Sequence, residues 1–303
     1  MPVIIPEKLP ATQALIDSNI FVMNEGRAHS QDIRPLRICI LNLMPDKITT
    51  ETQLLRKLSN SIIQVQITLL TMKSHTSKNT SAGHLKSFYQ YFEEIKEQNF
   101  DGIIITGAPL EHLPFETVDY WKELAEILDW CKTHAFSSLF ICWAAQAALY
   151  HYYGIEKNDM PEKLLGVFPH CKEDPKNKLF LGMNDTFFAP HSRYTQSDAQ
   201  AIRNNPQLTV LASSEQAGIH LVASRDGRRL FMSGHPEYDR GTLLKEYQRD
   251  QHLENAPFPQ NYFQDNDPTK EIIALWESDA SLFYLNWLNY SVYQETEYEL
   301  LLK

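Results

Sequence analysis

The chain has 303 residues and a formal net charge of −10 at neutral pH, with 43% hydrophobic and 22% charged residues. Such a length supports one large α/β domain or two small ones with a substantial core, and the composition is that of a globular protein. The acidic balance argues against nucleic acid or an anionic membrane as the main partner, while leaving room for an anionic ligand in a local basic pocket.

Taken in order, residues 1–35 are expected to form an extended arm leading into a helix near Ala11 to Ser18. The Met-Pro-Val-Ile-Ile-Pro-Glu-Lys start lacks a signal-peptide pattern, and no apolar run approaches the ~18 residues of a membrane span, so the expected location is cytoplasmic. Leu36–Leu43 is a continuous apolar run, as in a strand buried on both faces. A helix follows over Lys47–Leu58, then a strand over Ile62–Leu70, a polar mobile loop over Lys73–Gly83 and a helix to about Glu97. Phe100–Pro109 reads as a buried strand opening into a Gly/Pro turn, and Val118–His134 as an amphipathic helix. Leu139–Ile141 is then a short strand running through Cys142 into an Ala-rich helix.

Beyond Tyr153 the pattern predicts short strands at Leu164–Phe168, Leu179–Leu181 and Thr186–Ala189, and a helix over Gln196–Asn204. Strands at Leu208–Ala212, Ile219–Ser224 and Arg229–Ser233 come next, the last two joined by an Asp226-Gly227 hairpin turn. A helix near Gly241–His252, a Pro/Asn-rich loop over Asn255–Pro268 and a long aromatic helix over Thr269–Tyr290 complete the chain. Strand–helix alternation implies an α/β fold, a mostly parallel sheet with helices on both faces and functional loops at the carboxyl ends of its strands. With no internal repeat or low-complexity linker, one domain over 1–303 is expected: an arm to 35, a catalytic core over 36–253 and a helical segment over 254–303.

The chemistry centres on Cys142. A thiol between a strand end and a helix start meets peptide dipoles that favour the thiolate, and unpaired N–H groups that can serve an oxyanion. Cys39, Cys131, Cys142 and Cys171 include no CxxC pair or zinc-spaced cluster, which points to reduced thiols and no metal centre. Gly234-His235-Pro236-Glu237 offers a base and an orienting carboxylate at another strand end, with Pro236 fixing the torsion between them. A cysteine after an apolar strand is more often an inert core residue, and a histidine in such a turn often only a turn residue. It is their conjunction that suggests a Cys-His-Glu triad.

Cys142, Gln146 and His235-Pro236-Glu237 resemble class I glutamine amidotransferases, a flavodoxin-like fold. Phe140 and Ala144, however, stand where that family's Gly-x-Cys-x-Gly elbow has glycine. Asn42–Lys47, Thr106–Glu111, Phe140–Gln146, Pro190–Arg193 and Ser233–Tyr238 together resemble the homoserine O-acyltransferases built on that scaffold. The resemblance implies Cys142 as the nucleophile carrying an acyl thioester, His235 as base, Glu237 orienting it, and the Trp143 N–H in the oxyanion hole. It implies Lys163, Ser192 and Arg249 as substrate-binding residues, with Arg249 suited to the homoserine carboxylate.

It also implies that Glu111, where glycine goes with succinyl-coenzyme A, selects acetyl-coenzyme A by filling the space of a succinyl tail and repelling its carboxylate. Ser192 is carried over as a second specificity position. The expected reaction is double displacement: acetyl-coenzyme A acylates Cys142, and L-homoserine accepts the acetyl group, giving O-acetylhomoserine for methionine synthesis. No bound cofactor or metal is expected, and the resemblance implies a homodimer. The rivals are succinyl transfer, glutamine hydrolysis and a non-catalytic small-molecule sensor on the same scaffold.

Overall fold

The computed structural model describes residues 3–18, 20, 22–23, 34–75, 77, 79–252 and 256–295. In chain order come β1 (Val3–Ile4), α1 (Pro10–Asp17), β2 (Leu36–Leu41), α2 (Lys47–Leu58), β3 (Val65–Leu70), α3 (Ala82–Phe88), β4 (Tyr89–Gln90), α4 (Phe92–Ile95) and β5 (Phe100–Ile105). A single 3-10 turn at Phe115–Thr117 leads to α5 (Trp121–His134), β6 (Ala135–Ile141) and α6 (Trp143–Tyr153). Next are β7 (Lys157–Lys172), β8 (Thr186–Ser197), α7 (Ala199–Asn204), β9 (Leu208–Ser214), β10 (Gly218–Ser224) and β11 (Arg229–Met232). The last helices are α8 (Thr242–Asp250) and α9 (Glu277–Asn286), the latter continuing as a π-helical segment over Trp287–Tyr293.

The strands form one 11-stranded sheet in the order β1-β3-β2-β5-β6-β11-β10-β9-β7-β8, with β4 also against β3. Every pair from β1 across to β11 is parallel, and the pairs from β11 to β8 are antiparallel. Alternate residues of one strand feed different cores. Ile38 and Ile40 pack with Leu54, Leu55 and Leu58 of α2, while Cys39 and Leu41 pack with Leu124, Ile127 and Leu128 of α5. Burial on both faces explains why the central strands read as unbroken apolar runs. The register sets the site: Ile141 pairs with Met232 and Phe140 with Ile105, so β5, β6 and β11 release their chains side by side.

Several boundaries differ from the sequence reading. Residues 24–33 of the expected arm lie outside the described residues, but its start is not loose: Val3 pairs with Val65, and Ala11 and Leu15 are buried in the core. The polar stretch 73–83 includes 76 and 78, which also lie outside the description; its ends are tied by Lys73 and Ser74 N–H groups donating to Glu123 and by Ser81 capping α3. The helix expected up to Glu97 is broken where Tyr89 and Gln90 pair with Leu69 and Leu70 of β3. Tyr89 is drawn inward by hydrogen bonds with Glu51 and Asn42, a tertiary pull invisible to helical spacing.

Leu164–Phe168 and Thr186–Ala189 are pieces of the longer hairpin β7–β8, and Gln196 belongs to β8 rather than to a helix. Leu179 and Phe180 sit in a short 3-10 turn, not a strand. The last helix begins at Glu277, not Thr269; residue 255 of the preceding loop lies outside the description. Its aromatic continuation is an anchor: the Trp287 ring lies where a Cβ on Gly102 would meet it at 3.1 Å, and its Nε1 donates to Ser137 Oγ at 3.0 Å.

Candidate active site

Between β6 and α6, Cys142 stands alone with φ 53° and ψ −114°. A non-glycine residue held there carries strain on the order of 1–3 kcal/mol, which persists only where the surroundings over-determine it. Here its N–H donates to Met232 O at 2.7 Å, while its carbonyl accepts from Ala145 and Gln146 N–H at 3.0 and 3.2 Å. The flanking Phe140 and Ala144 are buried, with Phe140 stacked on Phe231 at 5.3 Å. The sharp elbow therefore forms without the glycines whose absence marked it in the sequence. Gln146 is spent on structure, exchanging two hydrogen bonds with Thr195. Trp143 opens α6, so its N–H has no acceptor within the helix and lies beside the sulfur-bearing residue.

His235 arrives three residues past the end of β11, its N–H bound to Pro190 O at 2.8 Å. Its ring lies on the Tyr238 ring at 4.3 Å, and its Nδ1 meets Glu237 Oε1 at 2.7 Å. Cys142 and His235 share a neighbour: a Cβ built on Gly107 would lie 3.2 Å from Cys142 Cβ and 3.5 Å from His235 Cε1. Burial works against a charged imidazole, but the charges and hydrogen bonds of Cys142 and Glu237 outweigh it and push the His235 pKa well above the usual histidine range. The structure thus brings Cys142, His235 and Glu237 together as the sequence suggested. The second Glu237 oxygen, Oε2, is buried with no hydrogen-bond partner among the described residues.

Cys142 and His235 open onto a cavity of about 400 Å³ that also receives Glu111, Lys163, Ser192 and Arg249. All the expected substrate-contacting side chains therefore reach one space, but Lys163, Arg249 and Ser192 arrive already engaged. Lys163 Nζ lies 3.4 Å from Glu246 and 3.1 Å from Asp250. The Arg249 fork is closed on its own neighbour, Asp250, with bonds of 2.6 and 2.8 Å. That pairing raises the guanidinium pKa and lowers the Asp250 carboxyl to about 2. Ser192 Oγ donates to Glu246, and burial together with the negative charge of that carboxylate raises the Tyr238 pKa. Glu246, missed in the sequence, is thus the acidic hub of the cavity. Its signal was its place one helical turn before Arg249, on the same face of α8.

Lys47, whose role the sequence left open, is buried and binds the carbonyls of Asn42 and Met44. Burial lowers its pKa to about 8, against the pull of Glu51. It braces the loop through Met44, Pro45 and Asp46 that forms one wall of the cavity. Behind His235, the buried His170, His191 and His220 bring ring nitrogens within metal-ligand reach of one another. Their hydrogen bonds argue for a different use. Arg193 Nε donates to His191 Nδ1, so a neutral His191 carries its proton on Nε2 and spends it on His170 Nε2, 3.1 Å away. A metal-bound imidazole needs an acceptor, not an arginine, at its far nitrogen.

The family model described as homoserine O-succinyltransferase matches residues 2–298. The chain belongs to this family of homoserine acyltransferases. A homoserine O-acetyltransferase of Brevibacillus brevis is 54% identical over 301 residues, covering 99% of this chain and 98% of its own. One from Desulfovibrio desulfuricans is 56% identical over 301 residues, covering 99% of this chain and 96% of its own. The family name and the relatives' names thus differ in the acyl group. A glutamine amidotransferase from Thermotoga maritima has the same fold, with TM-score 0.55 at 13% identity, covering 86% of this chain and 99% of that one. The family's homoserine chemistry therefore sits on an amidotransferase-like α/β frame, as the sequence implied.

Proposed function

We propose that this acyltransferase moves an acetyl group from acetyl-coenzyme A to the γ-hydroxyl of L-homoserine through a thioester on Cys142. The observation that carries the reading is the strained Cys142 elbow set against His235–Glu237 on the wall of a cavity that also holds Glu111. Cys142 thiolate attacks the thioester carbonyl while the oxyanion takes the Trp143 N–H. The bond to coenzyme A sulfur breaks, and the departing thiolate takes the proton held on His235. Acylation removes the thiolate that helped hold that proton, so His235 stays neutral and free to accept a proton as homoserine enters. It then accepts the γ-hydroxyl proton, the alkoxide attacks the thioester, and Cys142 leaves as thiolate.

Within this reading Glu246 and Arg249 bracket the amino acid, carboxylate toward ammonium and guanidinium toward carboxylate, with Lys163 and Ser192 holding Glu246 in place. Glu111 favours acetyl over succinyl because a second carboxylate in the cavity repels it. This agrees with the acetyltransferase names of the full-length relatives rather than with the succinyl name of the family. No resident cofactor or metal takes part, and the family resemblance extends the proposal to a cytoplasmic homodimer. The test is mass spectrometry after mixing with acetyl-coenzyme A alone. An acetyl adduct on Cys142, absent in Cys142→Ser, is expected. An unmodified Cys142 in a protein that turns over normally would sink the covalent route.

A further inference from the structure

Arg193 is 1% exposed on β8, yet it has no carboxylate partner among the described residues. Its donors go to Thr195 O at 3.0 Å, Ala217 O at 2.6 Å, His191 Nδ1 at 3.4 Å and Met160 Sδ at 3.3 Å, all uncharged. A buried guanidinium without an anion is costly, and a neutral donor could serve carbonyls as well. Arg193 shares with Cys142 a second, small cavity of about 30 Å³, on the side bounded by Gln146 and His220. Here the long-range interaction of two charges is screened little by water.

We propose that Arg193 is the fixed positive charge that stabilises the Cys142 thiolate, across the small cavity the two residues share. The inference rests on Cys142 being the nucleophile. In support, burial lowers the guanidinium pKa to about 10, and the charge of Cys142 is the influence acting against that fall. The role extends to the second half-reaction, when the C–S bond of the thioester breaks and its electron pair returns to Sγ. His235 has by then taken the homoserine proton, but a permanent charge is present in both halves of the cycle. Among the described residues the other titratable groups around the pair are His170, His191 and His220, which burial keeps neutral, the His235–Glu237 pair, and Tyr238, which burial keeps protonated.

The experiment is the pH–rate profile of Cys142 alkylation by iodoacetamide, read by mass spectrometry without acyl donor, so that it is independent of whether the thioester forms. Thermal unfolding is measured alongside. Arg193→Met is expected to alkylate about tenfold more slowly at neutral pH, with its profile displaced to higher pH. Arg193→Lys, which keeps charge but loses the fork, is expected to keep the wild-type profile despite lower stability. A folded Arg193→Met with the wild-type profile overturns the proposal, as does an equal displacement in Arg193→Lys. Arg193→Gln, still able to donate to carbonyls, stands in if the Met variant does not fold.

Discussion

Replacing Gly107 by alanine places a methyl group 3.2 Å from Cys142 Cβ, 3.5 Å from His235 Cε1 and 3.6 Å from Ile141 O. The first contact is tighter than ordinary van der Waals packing, so something must yield by a few tenths of an ångström. The Cys142 backbone is poorly placed to do so, being held at φ 53° with its N–H on Met232 O at 2.7 Å. The movement falls instead on the Cys142–His235 alignment. A misplacement of about 1 Å costs roughly 100-fold in rate, and the methyl also occupies cavity space over the nucleophile. A loss of about 10- to 100-fold in kcat/KM is expected, or ~1.4–2.7 kcal/mol of transition-state stabilisation. Stability should fall by only about 1 kcal/mol, at the low end for overpacking, because one side of Gly107 faces open space. Loss of thioester absorbance with homoserine present measures the first quantity, and urea unfolding the second. Wild-type kcat/KM in Gly107→Ala would refute the claim that this glycine sets the spacing of the pair.

Two carboxylates roughly 6–8 Å apart at an effective dielectric of about 20 repel by about 2 kcal/mol. Glu111→Gly is therefore expected to raise kcat/KM with succinyl-coenzyme A by roughly 30-fold; an unchanged ratio of the two donors would remove Glu111 as the selector. Gly166 has φ +141°, and a Cβ there would lie 2.3 Å from Gln260 O and 2.6 Å from Gln260 N. Gly166→Ala should cost about 3 kcal/mol or more in urea unfolding, since backbone meets backbone. His235, with its pKa raised in the fold, should still carry its proton in mildly alkaline solution, read from its ring resonances by NMR. Its contribution to stability is complete below the unfolded value of about 6.5 and is lost as pH rises through the raised folded value. Cys142→Ser removes one raising partner, so the ring should titrate at lower pH and that stability fade earlier; an unmoved titration would refute the coupling.

The frame was legible because its chemistry is local. The apolar runs at Leu36–Leu41 and Phe100–Ile105 each announce a buried parallel strand, and the strand-to-helix switch at Cys142 announces the turn that ends one. Tyr89 and Gln90 were misread because helical spacing continues through them, while the force that breaks the helix is a long-range pairing with β3. The β7–β8 hairpin was fragmented because its register shifts between Asp159 and Leu164, which interrupts the alternation a long strand should show. The triad was legible as two separate strand ends, but their adjacency comes from the pairing of Met232 with Ile141. Glu246 is marked locally only by its place one helical turn before Arg249, and Arg193 only by belonging to the Pro190–Arg193 segment; the role of neither shows there. One becomes a hub and the other an unpaired buried cation only when distant elements close around them.

The substituted elbow glycines change meaning once the geometry is known. Glycine at those positions would leave room at the nucleophile turn, yet Phe140 and Ala144 occupy them and the backbone still turns sharply at Cys142. The turn is therefore held not by glycine flexibility but by anchoring, through the Met232 carbonyl, the Phe140–Phe231 stack and the Gln146–Thr195 pair. A packed elbow of this kind suits an enzyme whose acyl-thioester must wait for an alcohol. Every apolar group against the sulfur excludes a competing water, while the polar groups that remain are those the two half-reactions use.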